Sequence, residues 1–172
     1  MHDLIHQYYT CLTITSSRMN TLRIKNSILY YTVNIKNSKD VTFCTISALP
    51  SEDYIYVEWI GFVNEIEASK IACRKVVDFI ERSGKILLLN DNRKQTGPWP
   101  PIEKWLGEVW IPAMRNAGLK MFAHLYSPSY FTELSAKTNL RDTVGGIEFG
   151  HFNSEEDAKG WLANQDEALP KV

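Results

Sequence analysis

The apolar positions along the chain fall into short runs separated by turn residues, and their spacing changes part-way. Residues 27–35, 41–48 and 54–60 are rich in β-branched and aromatic side chains and predict three strands. Turn clusters at 36–40 and 50–53 join them into an antiparallel meander. In the second strand Val41, Phe43, Thr45 and Ser47 share one face, and Cys44, Ile46 and Ala48 the other. Gly61 then breaks the pattern, and the period becomes helical. Asn64 is the expected N-cap, with Glu67 as its capping-box partner. Ile66, Cys73, Val76, Val77 and Ile80 form an apolar stripe on a helix running to about Arg82 and closed by Gly84.

Ile86-Leu87-Leu88-Leu89 is a continuous apolar run, which predicts a central strand buried on both faces. The polar stretch 90–97 reads as a flexible loop. Pro101 opens the next helix, on which Ile102, Trp105, Leu106, Val109 and Ala113 share a face. Pro112 should kink this helix, and Gly118 ends it. Residues 119–126 form a strand, Ser127-Pro128 starts a short helix through Leu134, and 138–146 is a polar loop. Residues 147–152 are a last strand. Asn153-Ser154-Glu155-Glu156 caps a final helix with Ala158, Trp161 and Leu162 facing inward.

The order is therefore three strands, then helices and strands in alternation. It predicts an α/β fold: a mixed sheet with an N-terminal antiparallel meander, a parallel βαβ core, and about four helices packed mainly on one face. With 172 residues the chain is long enough for one domain with a proper core. That domain is expected over 27–165. Residues 1–26 are then an extension, poorly ordered, and 166–172 a tail. Met19 is an alternative start, and 1–18 should add little to the core.

A net charge of −1 argues against a nucleic-acid or anionic-membrane surface, which needs excess Lys and Arg. Cys11, Cys44 and Cys73 are odd in number, widely spaced and form no CxxC pair, so neither a zinc site nor a disulfide framework is expected. A reducing, cytoplasmic setting follows. No run approaches the roughly 20 apolar residues that span a bilayer, and the N-terminus lacks the basic region of a signal peptide.

Several segments carry a family resemblance: Tyr56-Val57-Glu58-Trp59-Ile60-Gly61-Phe62, Leu87-Leu88-Leu89-Asn90-Asp91, the Trp-rich helix after it, Ala117-Gly118-Leu119-Lys120, and Phe152 before Glu155–Leu162. Together these resemble the STAS-like domains, in particular small single-domain bacterial proteins grouped with the anti-sigma-factor antagonist fold. The resemblance covers about residues 54–163. It implies a mixed sheet and a regulatory or binding module rather than an enzyme, with a protein partner or small ligand. A related topology occurs in CRAL-TRIO-type lipid carriers, which implies as the alternative a pocket for a lipid or small apolar ligand between sheet and helices. In anti-sigma antagonists a Ser or Thr at the helix start after the second core strand is phosphorylated, and the same surface meets the partner. The matching segment is 91–97, and Thr96-Gly97 is the nearest match to the Ser-Gly pattern; Asn92-Arg93-Lys94-Gln95 replaces the usual run, and prolines follow. Thr96 is thus either a candidate phosphosite or an ordinary exposed threonine.

The candidate binding residues are Asp91, Asn92, Arg93, Lys94, Thr96 and Trp99, at the mouth of the central strand. Arg93 and Lys94 are an anion site before a helix start or, more simply, two loop cations. Trp99 is either an exposed anchor for a protein partner or a cover for the helix end. His124 and His151 sit on strands that can be neighbours. They read as partly buried, hydrogen-bonded histidines, since a closed metal site needs about four ligands. No GxSxG elbow, phosphate loop or spaced carboxylate pair occurs, so neither catalytic residues nor a cofactor is expected. The aromatic-rich leading strands (Tyr30, Tyr31, Phe43) leave an edge that suits a homodimer.

Overall fold

The computed structural model describes residues 20–21, 31–127, 130 and 141–164. The strands are β1 (Asn20–Thr21), β2 (Tyr31–Lys36), β3 (Thr42–Ala48), β4 (Tyr54–Phe62), β5 (Leu87–Thr96), β6 (Met121–Leu125), β7 (Arg141–Val144) and β8 (Ile147–Phe152). They form one sheet in the order β1-β2-β3-β4-β5-β6-β8-β7. β1 to β4 pair antiparallel. β4, β5, β6 and β8 run parallel, and β7 closes the far edge antiparallel to β8. This is the mixed α/β sheet that the hydrophobic pattern predicts. Asn20 and Thr21, within the expected extension, pair with Thr32 and Tyr31.

Three helices are described. α1 spans Ile66–Ser83. α2 begins as Glu103–Trp105, widens into a π turn over Leu106–Trp110 and continues as Ile111–Asn116. α3 spans Glu155–Ala163. Strand alternation separates two cores. Ile55, Val57, Trp59, Leu88 and Phe122 point to the face covered by α1 and α2, where they meet Val76, Phe79, Ile80, Trp110 and Met114. Tyr54, Leu87, Leu89, Met121, Ala123 and Leu125 point to the other face and meet Ala158 and Leu162 of α3. The Leu87-Leu88-Leu89 run is apolar throughout because both faces of β5 are covered.

Three local expectations are corrected. Asn64 does not cap α1: the N-cap is Glu65, without a side-chain capping bond, and no capping box forms. The Glu65 carboxylate instead accepts from the backbone N–H and hydroxyl of Ser38, tying α1 to the β2–β3 turn. Ile66 lies outside the apolar stripe at 40% exposure; Ser69, Ala72 and Phe79 face inward with Cys73, Val76 and Ile80. Second, Val109 is 47% exposed, and Trp110 takes its place in the core. The π turn inserts one extra residue, so the inward row runs through buried Ile102, partly buried Leu106 and buried Trp110 and Met114 rather than through Val109 and Ala113. It ends two residues before Pro112, and a widened turn accommodates a residue with no N–H to donate. Third, the 138–146 segment is not all loop, since Arg141–Val144 is strand β7 and Gly145-Gly146 its hairpin turn. The short helix expected from Ser127 to Leu134 lies outside the described residues, Ser127 and Tyr130 apart. The Gly84 break and the Ser154 cap of α3 are found as expected.

Candidate functional site

The segment expected to be a flexible loop is strand. β5 runs ten residues from Leu87 to Thr96, and β4 pairs with it as far as Phe62 and Thr96. Polar residues hold this extension because their side chains find partners inside it. Asn90 Oδ1 accepts from Trp59 Nε1 at 2.8 Å, and Asn90 Nδ2 donates to Asn92 Oδ1 at 2.8 Å. Buried amides bonded in this way do not carry the cost that made a loop the simpler expectation.

Register then sorts the predicted site residues between the two faces. Glu58 pairs with Asp91, but Ile60 pairs with Lys94, so β5 carries one residue more than β4 across this step. Such a bulge re-aims side chains. Consecutive strand residues ordinarily face opposite ways, yet Arg93 and Lys94 both bond to groups on the α3 side. Asn92 and Gln95 fall on the α1–α2 side.

On the α3 side, Asp91 is 2% exposed. Its Oδ2 accepts from Arg93 Nη2 at 2.7 Å and from the Tyr56 hydroxyl at 2.7 Å, and its Oδ1 from the Arg93 backbone N–H. Arg93 Nη2 reaches on to Glu155 at 2.7 Å, clasping β5 to the start of α3. Burial pushes the Asp91 carboxyl up, but the Arg93 and Tyr56 hydrogen bonds outweigh it and leave the pKa below the ordinary range. Burial, then Asp91, raises that of the Tyr56 hydroxyl. Lys94 pairs with Glu58 at 2.7 Å. Both cations expected at the strand mouth are therefore engaged by carboxylates.

On the α1–α2 side, strand alternation lines up Phe122, His124 and Tyr126 along β6 and just beyond it, with Phe149 and His151 beside them on β8. Phe122 stacks on Phe149 at 4.8 Å, and His124 on Tyr126 at 4.0 Å. His124 and His151 are register partners with ring centroids 6.0 Å apart. The two histidines are thus neighbours, and partly buried. Tyr126 Oη lies 2.8 Å from His124 Nδ1. His124 Nε2 and His151 Nδ1 are buried without a hydrogen-bond partner. Burial, then His151, brings the His124 pKa down to about 3, and burial, then Arg141, lowers that of His151. Among the described residues no cluster of three metal-ligating side chains occurs.

This aromatic row ends in a cleft of about 370 Å³ at the carboxyl ends of β5 and β6. Asn92, Gln95, Gly97, Pro98 and Trp99 form one wall; His124, Tyr126, Ser127 and Tyr130 form the other. Trp99 is folded back, its ring 4.7 Å from Trp59 in an edge-to-face contact, so it covers the core and keeps one side on the cleft. Thr96 is exposed, opposite Phe62. It does not stand at a helix start, since α2 begins only at Glu103. Among the described residues, the layer between the sheet and α1 and α2 is filled by Val57, Trp59, Leu88, Phe122, Trp110 and Met114. Sequence reasoning missed Gln95, Tyr126, Ser127 and Tyr130. The alternation Phe122-x-His124-x-Tyr126 was the available signal for Tyr126.

The chain is similar to a crystal structure of an uncharacterised protein of the DUF3478 family from Shewanella loihica PV-4, described as having a SpoIIAA-like fold, which is the STAS-like class. The identity is 15%, the TM-score 0.45, and the match covers 73% of this chain and 98% of that one. At that identity and score the likeness goes no further than the description of a fold. No model of a known protein family matches the chain, and no curated protein matches it. No helix among the described residues is long and apolar enough to cross a membrane. Cys44 and Cys73 are free thiols in the core. Burial raises both, Cys73 to about 12, so they stay protonated and pack as small apolar groups.

Proposed function

We propose that this protein is a non-enzymatic binding module that holds a small molecule in the cleft between Asn92–Trp99 on one side and His124, Tyr126, Ser127 and Tyr130 on the other. The observation that carries this is the cleft itself. It lies where parallel strands end, the place at which open α/β sheets take ligands. Its 370 Å³ falls at the low end of the usual range for ligand sites, and its lining mixes aromatic rings with a few amides and hydroxyls. Asn92 and Trp99 act there directly. Asp91, Arg93 and Lys94 serve the site by fixing the extended end of β5 from the opposite face. The test is native mass spectrometry of the full chain purified from its own host, beside its denatured mass. A small molecule that leaves on denaturation, and is absent from Ser127→Phe, which fills the cleft, supports the assignment. A bare chain mass in both proteins counts against it.

A second reading is regulatory and rests on the patch beside the cleft. Phe62 is 54% exposed, faces Thr96 in the register, and leaves no room for a Cβ at Gly97, whose ideal Cβ would lie 2.7 Å from the ring. An exposed aromatic next to an accessible hydroxyl suits a protein partner that is released when Thr96 is phosphorylated, through added charge. Affinity capture with wild type, Phe62→Ser and Thr96→Glu tests it: one partner retained by the wild type and lost by both variants is the expected result, and equal recovery by all three defeats it.

A further inference from the structure

The chemical class of the ligand follows from what the cleft lacks, granted that the cleft is the binding site. None of its nine described lining residues carries a fixed charge. The charged side chains of β5 face the opposite way: Asp91 is bonded to Arg93, Arg93 reaches on to Glu155, and Lys94, re-aimed by the bulge, pairs with Glu58. The titratable groups that do line the cleft stay neutral. Burial and His151 hold His124 neutral, while the Asp91 charge works the other way and is outweighed. Burial, then Tyr130, raises the Tyr126 hydroxyl, so it keeps its proton. Beside His124 and Tyr126, His151 is held neutral by burial and Arg141 against the weaker pull of Asp142.

The lining also has a shape. Tyr126 stacks on His124 and meets Tyr130 at 5.1 Å, so one side of the cleft is lined by aromatic rings, with Trp99 on the other. Between them stand two amides with capacity to spare. Asn92 Nδ2 makes only a 3.4 Å contact with Gln95 Oε1, and Gln95 Nε2 donates to the Gly97 carbonyl. An ionised ligand entering here would lose its hydration and meet no counter-charge among the described lining residues. An aliphatic chain would fill the volume but leave unused the hydrogen-bonding capacity that the amides have beyond their bonds within the protein. A flat ring with edge donors and acceptors satisfies both requirements, stacking on the aromatic faces and bonding to the amides.

We propose that the cleft takes a neutral, planar heteroaromatic compound with amide-like groups on its edge. His124 and Tyr126 supply an uncharged stacking wall, and Asn92 and Gln95 read the edge. The structure thereby disfavours lipids and free anions.

Three probes of similar size test the class on the full chain by amide-shift titration: quinolin-2-one (a neutral bicyclic lactam), 2-naphthoate (a charged ring) and 1-decanol (an aliphatic chain). The expected result is that quinolin-2-one shifts the amides of Asn92 and Gln95 and the Trp99 indole, with an affinity at least tenfold above either other probe. Gln95→Lys, a change at a partly exposed position, should reverse the order in favour of 2-naphthoate. If 2-naphthoate or 1-decanol binds the wild-type cleft as well as quinolin-2-one does, the class is wrong and the cleft remains a binding site. If no probe shifts any cleft residue, the class and the site are overturned together.

Discussion

Arg93 shows how a side chain that reads as a ligand-binding cation can be a structural one. It closes a half-buried network of Tyr56, Asp91 and Glu155. Arg93→Ala would leave the Asp91 carboxylate buried with only the Tyr56 hydroxyl and a backbone N–H. Because the Arg93 side chain is itself 37% exposed, solvent screens the pair, and a loss of about 1–3 kcal/mol in urea unfolding is expected. The sign with pH follows from the depressed Asp91 value. Its contribution is present above the unfolded carboxylate pKa of about 3.9 and is lost as pH falls through the folded value. In Arg93→Ala the folded value moves back towards the unfolded one, so that acid-dependent loss should be smaller.

His124 acts in a different window. Its folded pKa of about 3 lies below the ordinary value of 6.5, so below pH 6.5 the unfolded chain takes up a proton that the folded one refuses. Stability is then full above pH 6.5 and falls towards pH 3 by up to about 1.4 kcal/mol per pH unit. Urea midpoints measured between pH 7.5 and 4.5 should slope downward in the wild type and much less in His124→Gln. Equal slopes would mean that the imidazole is free to protonate in the folded protein.

At the scale of elements, β5 and α2 carry most of what the sequence hides. The strand's apolar half was legible because Leu87-Leu88-Leu89 is buried on both faces. Its polar half was not, since Asn90, Asn92 and Thr96 look like loop residues until Trp59 and β4 are placed beside them. Asn90→Ala should therefore cost about 1–3 kcal/mol by leaving Trp59 Nε1 and Asn92 Oδ1 unpaired in the core, whereas an Asn in a loop would tolerate the change. The helix face of α2 was legible up to Leu106 and shifted by one residue beyond it, because a π turn leaves no mark in a 3.6-residue periodicity. Trp110 gains its place through that shift and donates its Nε1 to the Cys73 carbonyl at 2.8 Å. Trp110→Ala, with its indole removed from the α1–α2 contact, should lower stability by about 3–5 kcal/mol, far more than Val109→Ala on the exposed side. Comparable costs would place the two residues in the reverse arrangement.

For the whole molecule, the order of elements sufficed to give the mixed sheet, since turn spacing and the change from period 2 to period 3.6 are local signals. The cleft is a product of the sheet's assembly. It draws Asn92 and Gln95 from β5, His124 from β6, and Trp99 and Tyr130 from connecting segments, and no spacing in the chain announces that they meet. Among the described residues the same assembly fills the layer between the sheet and α1 and α2, and the proposed ligand site is at the strand ends instead. The most direct measurement is an amide-shift map of the isotope-labelled full chain titrated with the low-molecular-mass fraction of its own host's extract. The account predicts shifts concentrated at Asn92, Gln95, Gly97, the Trp99 indole, His124 and Tyr126, with the Arg93 network unmoved. Shifts confined to Phe62, Val41 and Ile66, or none at all, would contradict it.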